Sequence, residues 1–392
     1  MSFSNVDLKG GVLRLNKNIQ EYLLVFISTI LSIIIFLVVD FAVSKRYIPY
    51  YGGKWEESVD PYIRKDSGWY ELKRSFAGKG HWGDHIYDVN TDIYGFRSKT
   101  VGSNGQADYI FLGDSFTFGV NGEWDDTFVG MFEGYVSGRK VINAGVPSYS
   151  PTAYLHQIKK MLSEDAIKEK ATVIVGLDIS DVQDEAACWE SAVNSPKKMQ
   201  GSCLERSAVV LNHETKWDEV KNRLRFTGMI FKYIDMKIRP ERYAPPVLES
   251  TFNQARSAFT WDKWSRLNKE GFPNGYAPLG VSAGLNKIGN QVEEINKLVQ
   301  KKSGQTYILI YPWPGQLVYA QKFNYEAWAR KLCHKIKCAG VIDTFPVFMR
   351  ENGKEAYEKY YLQGDVHFNK NGNMILFEEI RKTIEISSQA SR

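Results

Sequence analysis

The run Tyr109-Ile-Phe-Leu-Gly-Asp-Ser-Phe-Thr-Phe-Gly119 indicates how this chain folds. Its first half is apolar, as in a short strand that is buried on both faces of a sheet. Gly113 ends this predicted strand, and Ser115 lies at the turn into a helix. A serine in this position has its hydroxyl exposed at the edge of the sheet. The run therefore predicts a nucleophilic serine, Ser115, directly after a buried strand.

Four more apolar strands are predicted further along the chain, and helical segments separate them. The predicted strands are Asp108–Leu112, Lys140–Asn143, Ala171–Leu177, Gln305–Tyr311 and Gly340–Asp343, and the helices are Thr127–Ser137, Ala153–Leu162, Leu285–Lys301, Tyr325–Lys335 and a last one from about Asn371. Continuous apolar strands that alternate with helices predict a central parallel sheet in a three-layer α/β/α sandwich, a flavodoxin-like architecture. Ligands of such sheets bind at the carboxyl ends of the strands.

The N-terminal region contains a candidate membrane span. No charged residue occurs from Tyr22 to Val39, and these 18 residues would form a helix of roughly 27 Å, close to the thickness of the hydrocarbon core. A buried core helix is disfavoured because the segment lacks a polar face. A cleaved signal peptide is disfavoured because no small-x-small cleavage site follows before Lys45. We predict an uncleaved, single-pass signal anchor.

Four regions follow from these patterns. They are a cytoplasmic tail (1–21), a transmembrane anchor (22–43), an extension packed on the domain (44–105) and a catalytic domain (106–392). The catalytic domain contains an insertion at about 182–285 that caps or walls the site and carries Trp189, Trp217, Trp261 and Trp264. Within the insertion, the apolar residues of 223–240 are expected to pack in the core or the cap rather than on a membrane surface.

The charges that flank the span leave its orientation undecided. Lys9, Arg14 and Lys17 precede it, and Lys45, Arg46 and Lys54 follow it. The cysteines favour one orientation, because Cys188 with Cys203 and Cys333 with Cys338 are local couples that suit disulfides in an oxidising compartment. A zinc site and unpaired thiols are the alternatives. We predict an inner-membrane protein whose catalytic domain is periplasmic or extracytoplasmic.

Composition excludes two broad classes of protein. With 43% hydrophobic and 24% charged residues, the chain has enough apolar side chains for a core and is not disordered throughout. The net charge of +5 is spread along the chain without a dense basic cluster, so no nucleic-acid partner is expected. The 14% of aromatic residues suit a groove that binds sugar rings.

A serine hydroxyl needs a base to become an effective nucleophile. The chain has six histidines, and His367 lies in the run Gly364-Asp-Val-His-Phe-Asn-Lys-Asn-Gly372, just before the last helix. Asp365 lies two residues earlier, and in an extended loop such residues point to the same side. Asp365 could then hold His367 Nδ1, which leaves Nε2 facing Ser115.

These residues resemble the signature blocks of the SGNH, or GDSL-type, hydrolases. Gly113-Asp114-Ser115 looks like the first block, Asn143-Ala-Gly145-Val-Pro-Ser like the second and Asp365-Val-His367 like the last. The resemblance covers roughly 105–182 and 290–385. It implies oxyanion donors at the N–H groups of Ser115 and Gly145. The spacing of Asp365 and His367, with the N-terminal anchor, is most similar to alginate-type periplasmic O-acetylation proteins.

The third block departs from the family pattern. The family has an asparagine whose amide donates to the oxyanion, whereas the third strand here ends in Gly176-Leu-Asp178-Ile-Ser-Asp181. An ionised aspartate cannot donate a hydrogen bond, and the loss of one oxyanion donor costs about 3 kcal/mol of transition-state stabilisation. Candidates for the substrate or oxyanion region are Asp114, Asp178, Asp181 and Trp313.

The favoured function is a serine esterase that removes O-acyl groups, with acetyl preferred, from an envelope or extracellular polysaccharide. One alternative is an O-acetyltransferase to glycan hydroxyls, which would add a membrane acyl-donor protein to the partners. Another is a non-catalytic glycan-binding or scaffold protein, which Asp178 favours. No cofactor is expected. A metal site could be formed by His81, Asp84, His85 and Asp88. An ordinary surface loop is the favoured interpretation, so no metal is predicted.

Overall fold

The structure, a computed structural model, describes residues 17–44, 62–64, 70–82, 85–120, 122–188, 224–238, 263–265 and 279–390. The chain forms two compact units, residues 1–54 with 211–245 and residues 55–210 with 246–392. Several predictions lie outside the described residues, namely those for Asp84, Trp189, Cys203, Trp217, Trp261 and the tail before Lys17.

The bounds of the helices and strands are as follows. The described helices are α1 (Lys17–Val39), α2 (Ser115–Phe118), α3 (Phe128–Tyr135), α4 (Pro151–Ser163), α5 (Ser180–Gln183), α6 (Arg225–Ile238), α7 (Val281–Lys301), α8 (Pro314–Val318), α9 (Tyr325–Ile336), α10 (Phe345–Phe348), α11 (Gly353–Tyr360) and α12 (Lys370–Ala390). The described strands are β1 (Tyr62–Arg64), β2 (Tyr70–Leu72), β3 (Ala77–Trp82), β4 (His85–Thr91), β5 (Arg97–Ser98), β6 (Ala107–Gly113), β7 (Val141–Gly145), β8 (Ile167–Leu177), β9 (Gln305–Ile310) and β10 (Gly340–Asp343).

The smaller unit contains α1 and α6. The most apolar stretch within Lys17–Val43 has a mean hydropathy of 2.9 and none of it is buried, so by length and composition this helix could cross a membrane. A wider turn, Asp40–Ser44, follows α1. The apolar residues of α6 were expected to pack in the core or the cap, and this prediction was wrong, because Phe226, Phe231 and Ile238 are 44%, 66% and 70% exposed.

The larger unit is built on an eight-stranded sheet in the order β10-β9-β8-β6-β7-β5-β4-β3. The five strands β7, β6, β8, β9 and β10 are parallel. Counted among themselves in chain order they run 2-1-3-4-5, which is the flavodoxin-like order. The predicted α/β fold with a central parallel sheet is confirmed. The order reverses between β6 and β8, and a ligand crevice is expected at the carboxyl ends of these two strands.

Helices cover both faces of this sheet, which explains why its strands are apolar throughout. Residues Ala171–Leu177 of β8 and Thr306–Ile310 of β9 are buried without interruption. Helix α7 packs against α4 and α9, whereas α12 packs against α3. Right-handed crossovers on either side of β6 place these two groups of helices on opposite faces.

The antiparallel edge of the sheet was not predicted. Strands β3, β4 and β5 form a meander whose last strand pairs with β7 at Arg97 and Asn143. The sequence of β3, Ala-Gly-Lys-Gly-His-Trp, has no alternation of apolar and polar residues. Its pairing is set by its neighbours in the sheet, which a reading of local periodicity cannot detect.

Candidate active site

Ser115 is the first residue of α2 and lies at the carboxyl end of β6. Asp114 caps this helix, because its Oδ1 accepts a hydrogen bond from the Phe116 N–H at 2.9 Å. Ser115 occupies the first helical position of α2, where a backbone N–H has no acceptor within the helix. The sheet thus presents the serine at the strand edge where ligands of this fold bind.

Two glycines allow α2 to lie close against the sheet. A Cβ on Gly113 would stand 2.0 Å from Thr117 Oγ1, and a Cβ on Gly145 would stand 2.3 Å from the backbone nitrogen of Phe118. Gly113 and Gly145 are paired neighbours at the ends of β6 and β7. Larger residues at either position would push the helix, and with it Ser115, away from the strand ends.

The structure brings Ser115, His367 and Asp365 together in a chain of short hydrogen bonds. His367 Nε2 lies 2.7 Å from Ser115 Oγ, and His367 Nδ1 lies 2.7 Å from Asp365 Oδ1. The imidazole is buried and packs on the ring of Phe116, with 4.6 Å between the ring centroids. In this arrangement a neutral imidazole can donate to Asp365 through Nδ1 and accept the serine proton at Nε2.

Backbone contacts fix the loop that carries the histidine. The Gly364 N–H donates to the Tyr357 hydroxyl at 2.7 Å, and that hydroxyl donates to the Leu362 carbonyl at 3.2 Å. The Leu362 N–H donates to the His367 carbonyl at 2.9 Å. The loop is therefore closed on itself and tied to α11, which holds the imidazole in place.

Arg97 and Asn143 hold α2 from the other side, and no local sequence pattern predicts either role. Arg97 is fully buried, and its guanidinium donates to the carbonyls of Phe118 and Gly119 at 2.7 and 2.6 Å. Asn143 Nδ2 donates to the Thr117 carbonyl at 2.8 Å. These bonds supply donors to carbonyls at the end of α2, where the helix itself has no N–H group left to bind them.

The geometry does not match the oxyanion role predicted for Gly145. Its N–H donates to Asn143 Oδ1 at 2.9 Å. The same asparagine is completely buried and also binds α2, so this hydrogen bond is part of the packing between β7 and α2. The Gly145 N–H is thus occupied by a side chain rather than directed at a substrate.

Asp178 accepts hydrogen bonds through both carboxylate oxygens. Oδ1 accepts from the Ser180 N–H and hydroxyl at 2.7 and 2.6 Å, and Oδ2 accepts from Trp313 Nε1 at 2.7 Å. Asp178 and Trp313 are 1% and 3% exposed. Trp313, a candidate for contact with substrate, is buried, and its indole N–H donates to Asp178 inside the protein.

Further buried carboxyl groups surround Asp178. Burial raises the pKa of Asp114 well above its usual range, and the nearby charge of Asp178 adds to the shift. Burial likewise raises the pKa of Asp178, Asp181 and Asp184. Asp181 Oδ2 accepts from the Asp178 N–H at 2.9 Å, so Asp181 shapes the turn after β8. Asp114 and Asp181 are buried, and each has its own hydrogen-bond partners.

The remaining predicted residues lie apart from this site. Cys333 and Cys338 form a disulfide with 4.9 Å between their Cα atoms. His81 and His85 belong to the paired strands β3 and β4, and their side chains lie outside the described part of the structure. Asp88 forms an exposed ion pair with Lys79. Within the described residues, no three His, Cys, Asp or Glu side chains are grouped so as to hold a metal ion.

Comparisons with known proteins found similarity in structure but no match in sequence. No family model and no curated protein matches the sequence. The structure is similar to a member of the lipolytic protein G-D-S-L family from Veillonella parvula, at 10% identity and a TM-score of 0.36 over 70% of this chain and 96% of that one. It is similar to an acetylxylan esterase from Geobacillus stearothermophilus, at 11% identity and a TM-score of 0.32 over 72% and 95% of the two chains.

Proposed function

We propose that this protein is a membrane-anchored serine esterase of the SGNH type that acts through an acyl-enzyme. The observation that carries the proposal is the chain of two 2.7 Å contacts from Asp365 through His367 to Ser115. A hydroxyl, an imidazole and a carboxylate in this order are the groups required to activate a serine for acyl transfer.

The reaction follows from these positions. Ser115 Oγ attacks the ester carbonyl while its proton passes to His367 Nε2, and Asp365 stabilises the imidazolium that forms. The C–O bond to the leaving alcohol then breaks, and His367 returns the proton to that alcohol. In the second half, water attacks the acyl carbon and loses a proton to His367. The bond from that carbon to Ser115 Oγ then breaks, His367 returns the proton to Ser115, and the acid is released.

The oxyanion is held by fewer donors than the family resemblance implies. The Ser115 N–H, at the start of α2, is the donor that remains after the Gly145 N–H is occupied by Asn143 and Asp178 replaces the asparagine. Removal of one oxyanion donor lowers kcat by roughly 10²–10³-fold in serine hydrolases. We therefore expect slow turnover and an acyl-enzyme that can be trapped.

We propose O-acyl groups of an envelope polysaccharide, with acetyl preferred, as the substrate. The support is the anchor sequence, which would keep the enzyme at a membrane, and the 14% aromatic content, which suits sugar rings. The Cys333–Cys338 disulfide supports an extracytoplasmic location, since disulfides persist in oxidising compartments. None of these three observations separates hydrolysis from transfer to a glycan hydroxyl, because both reactions pass through the same acyl-enzyme.

A fluorophosphonate probe tests the proposal on the full chain in detergent or nanodiscs. We expect the wild type to be labelled at Ser115, the Ser115→Ala variant to lose labelling, and the Ser137→Ala variant, which alters an exposed serine, to keep it. Absence of labelling in folded wild type would overturn the proposal and favour a glycan-binding protein.

A second measurement separates esterase from transferase. Unlabelled wild-type enzyme is incubated with an O-acetylated glycan alone, and then with an acyl donor plus a deacetylated glycan. The acetyl content of each glycan is followed by mass spectrometry. Release of acetate from the first glycan supports the esterase. Acetyl gain by the second glycan without release from the first would replace hydrolysis by transfer.

A further inference from the structure

Helix α6 has a broad apolar face that no described side chain covers. Its large apolar residues recur at helical spacing, and all are exposed by 38–70%: Phe226, Met229, Ile230, Phe231, Tyr233, Ile234 and Ile238. Burial of such a face is favourable because it removes apolar surface from water. A face of this size on a helix is typical of an interaction surface.

The start of α6 is joined to the end of α1. Asp40, in the turn that follows α1, accepts hydrogen bonds from the Phe226 N–H at 3.0 Å and from the Thr227 N–H at 2.7 Å, and from the Thr227 hydroxyl. The ring of Phe36, in the last turns of α1, lies 5.8 Å from that of Phe226. Asp40 is only 5% exposed. Helix α6 therefore begins at the level where the apolar helix ends.

The charges around α6 are predominantly basic. Between positions 221 and 239 the sequence has six basic residues and one acidic residue, which are Lys221, Arg223, Arg225, Lys232, Lys237, Arg239 and Asp235. The ammonium of Lys237 lies 5.6 Å from the centroid of the Tyr233 ring, so this positive charge lies beside the apolar residues of α6. An apolar face bordered by basic residues is typical of helices that lie in a membrane interface.

We propose that α6 is an interfacial helix that lies along the bilayer where α1 leaves it, with its apolar face in the acyl-chain boundary and its basic residues among anionic headgroups. This inference rests on the proposed membrane span of α1 but not on the esterase activity. The hydrogen bonds of Asp40 join α6 to the end of α1. Insertion of α1 therefore also brings α6 to the surface of the bilayer. Two anchoring elements hold the protein more firmly than one.

The test places an environment-sensitive fluorescent amino acid at one position of the full chain in vesicles of equal parts phosphatidylcholine and phosphatidylglycerol. The positions are Ile230 on the apolar face, Asp235 on the opposite face, and Ile30 in the middle of α1 as the reference for insertion. Quenching by nitroxide on the lipid acyl chains is compared with quenching by aqueous iodide. Circular dichroism and size-exclusion chromatography show that each labelled protein is folded.

We expect lipid quenching at Ile230 to exceed that at Asp235 several-fold. We expect aqueous iodide to quench the probe at Asp235 more strongly than the probe at Ile230. Strong lipid quenching at Ile30 with only iodide quenching at Ile230 would overturn the inference and leave the anchor intact. Iodide quenching at both Ile30 and Ile230 would overturn the anchor as well. Protection of Ile230 from both quenchers would show that protein, from this chain or a second copy, covers the face, and would also overturn the inference.

Discussion

His367 and Ser115 are 252 positions apart in the chain, yet His367 Nε2 and Ser115 Oγ are separated by 2.7 Å. The parallel sheet makes this contact, since β6 ends at Gly113, two residues before Ser115, and the histidine loop precedes α12 on the same edge. The imidazole is 4% exposed, so its position is set by packing on Phe116 and by its two hydrogen bonds rather than by solvent. Activity should therefore depend on the residues that hold His367 and Ser115 in these positions.

The first prediction concerns Asp365. In Asp365→Asn an amide NH₂ can face His367 Nδ1, which favours the tautomer with the proton on Nε2, and this nitrogen then cannot accept the proton of Ser115. We expect kcat to fall by about 10²–10⁴-fold with little change in KM. Hydrolysis of nitrophenyl acetate by the purified full chain measures both constants.

A suitable control is Asp125→Asn, which removes only an exposed ion pair with Lys99. It should leave both constants unchanged. Equal rates for Asp365→Asn and the wild type would mean that Asp365 does not orient the histidine.

The second prediction concerns Tyr357 as a positioning residue. Tyr357→Phe removes the hydroxyl that accepts from the Gly364 N–H and donates to the Leu362 carbonyl, and leaves both backbone groups without this partner. We expect the free energy of unfolding to fall by about 1–2 kcal/mol. The histidine loop should also loosen, so that kcat and the rate of fluorophosphonate labelling fall several-fold while KM is retained.

Tyr360→Phe serves as the matched control, since Tyr360 lies on the same helix α11 and its hydroxyl interacts with Lys359 and Glu351. A loss of stability in Tyr357→Phe without any change in kcat or labelling would assign Tyr357 a purely structural role.

The third prediction concerns Asp178. Asparagine at this position has one acceptor oxygen, so its NH₂ must face either Trp313 Nε1 or the Ser180 donors. We expect Asp178→Asn to lower the free energy of unfolding by about 1–3 kcal/mol and to give no gain in kcat. Urea unfolding and steady-state kinetics measure the two effects.

The double variant Asp178→Asn with Trp313→Phe provides the control, because removal of the indole donor should relieve part of the destabilisation. An increase in kcat of tenfold or more in Asp178→Asn would show that residue 178 does face the oxyanion, contrary to the hydrogen bonds seen here.

The fourth prediction concerns the effect of pH on stability through Asp343. Burial raises the pKa of this carboxyl to about 6, and among the described residues its Oδ2 has no hydrogen-bond partner. The folded protein therefore keeps a proton that the unfolded chain releases above about pH 4. Protonated Asp343 therefore stabilises the folded protein. This stabilisation is fully present below about pH 4 and is lost as the pH rises through about 6.

Asp343→Asn removes this titration and keeps an oxygen for the Phe345 N–H. We expect the variant to gain about 1–2 kcal/mol relative to the wild type between pH 4 and pH 7, as measured by chemical unfolding at each pH. A stability difference that is independent of pH would show that Asp343 titrates normally. Asp125→Asn again serves as the exposed control.

Much of the fold could be predicted because its signals are local. Continuous apolar strands such as residues 171–177 identify a covered parallel sheet wherever they occur. The edge strands were missed although β4 alternates buried Tyr87 and Val89 with polar Asp88 and Asn90. Strand β3 carries no such alternation, and β5 has two residues whose pairing depends on β7. The candidate residues Ser115, His367 and Asp365 were identifiable because strand ends and an Asp-x-His loop are visible in one dimension.

The sequence by itself determined the α/β architecture, the apolar N-terminal helix and the residue types available for acyl transfer, since each depends on periodicity or on short spacing. Only the tertiary structure decided that Asn143 occupies the Gly145 N–H, that Asp178 binds Trp313, and that α6 exposes its apolar face. The physical reason is that hydrogen-bond partners and burial are supplied by residues far away in the chain. A sequence pattern shows whether a side chain is polar or apolar, but the folded structure determines which groups that side chain contacts.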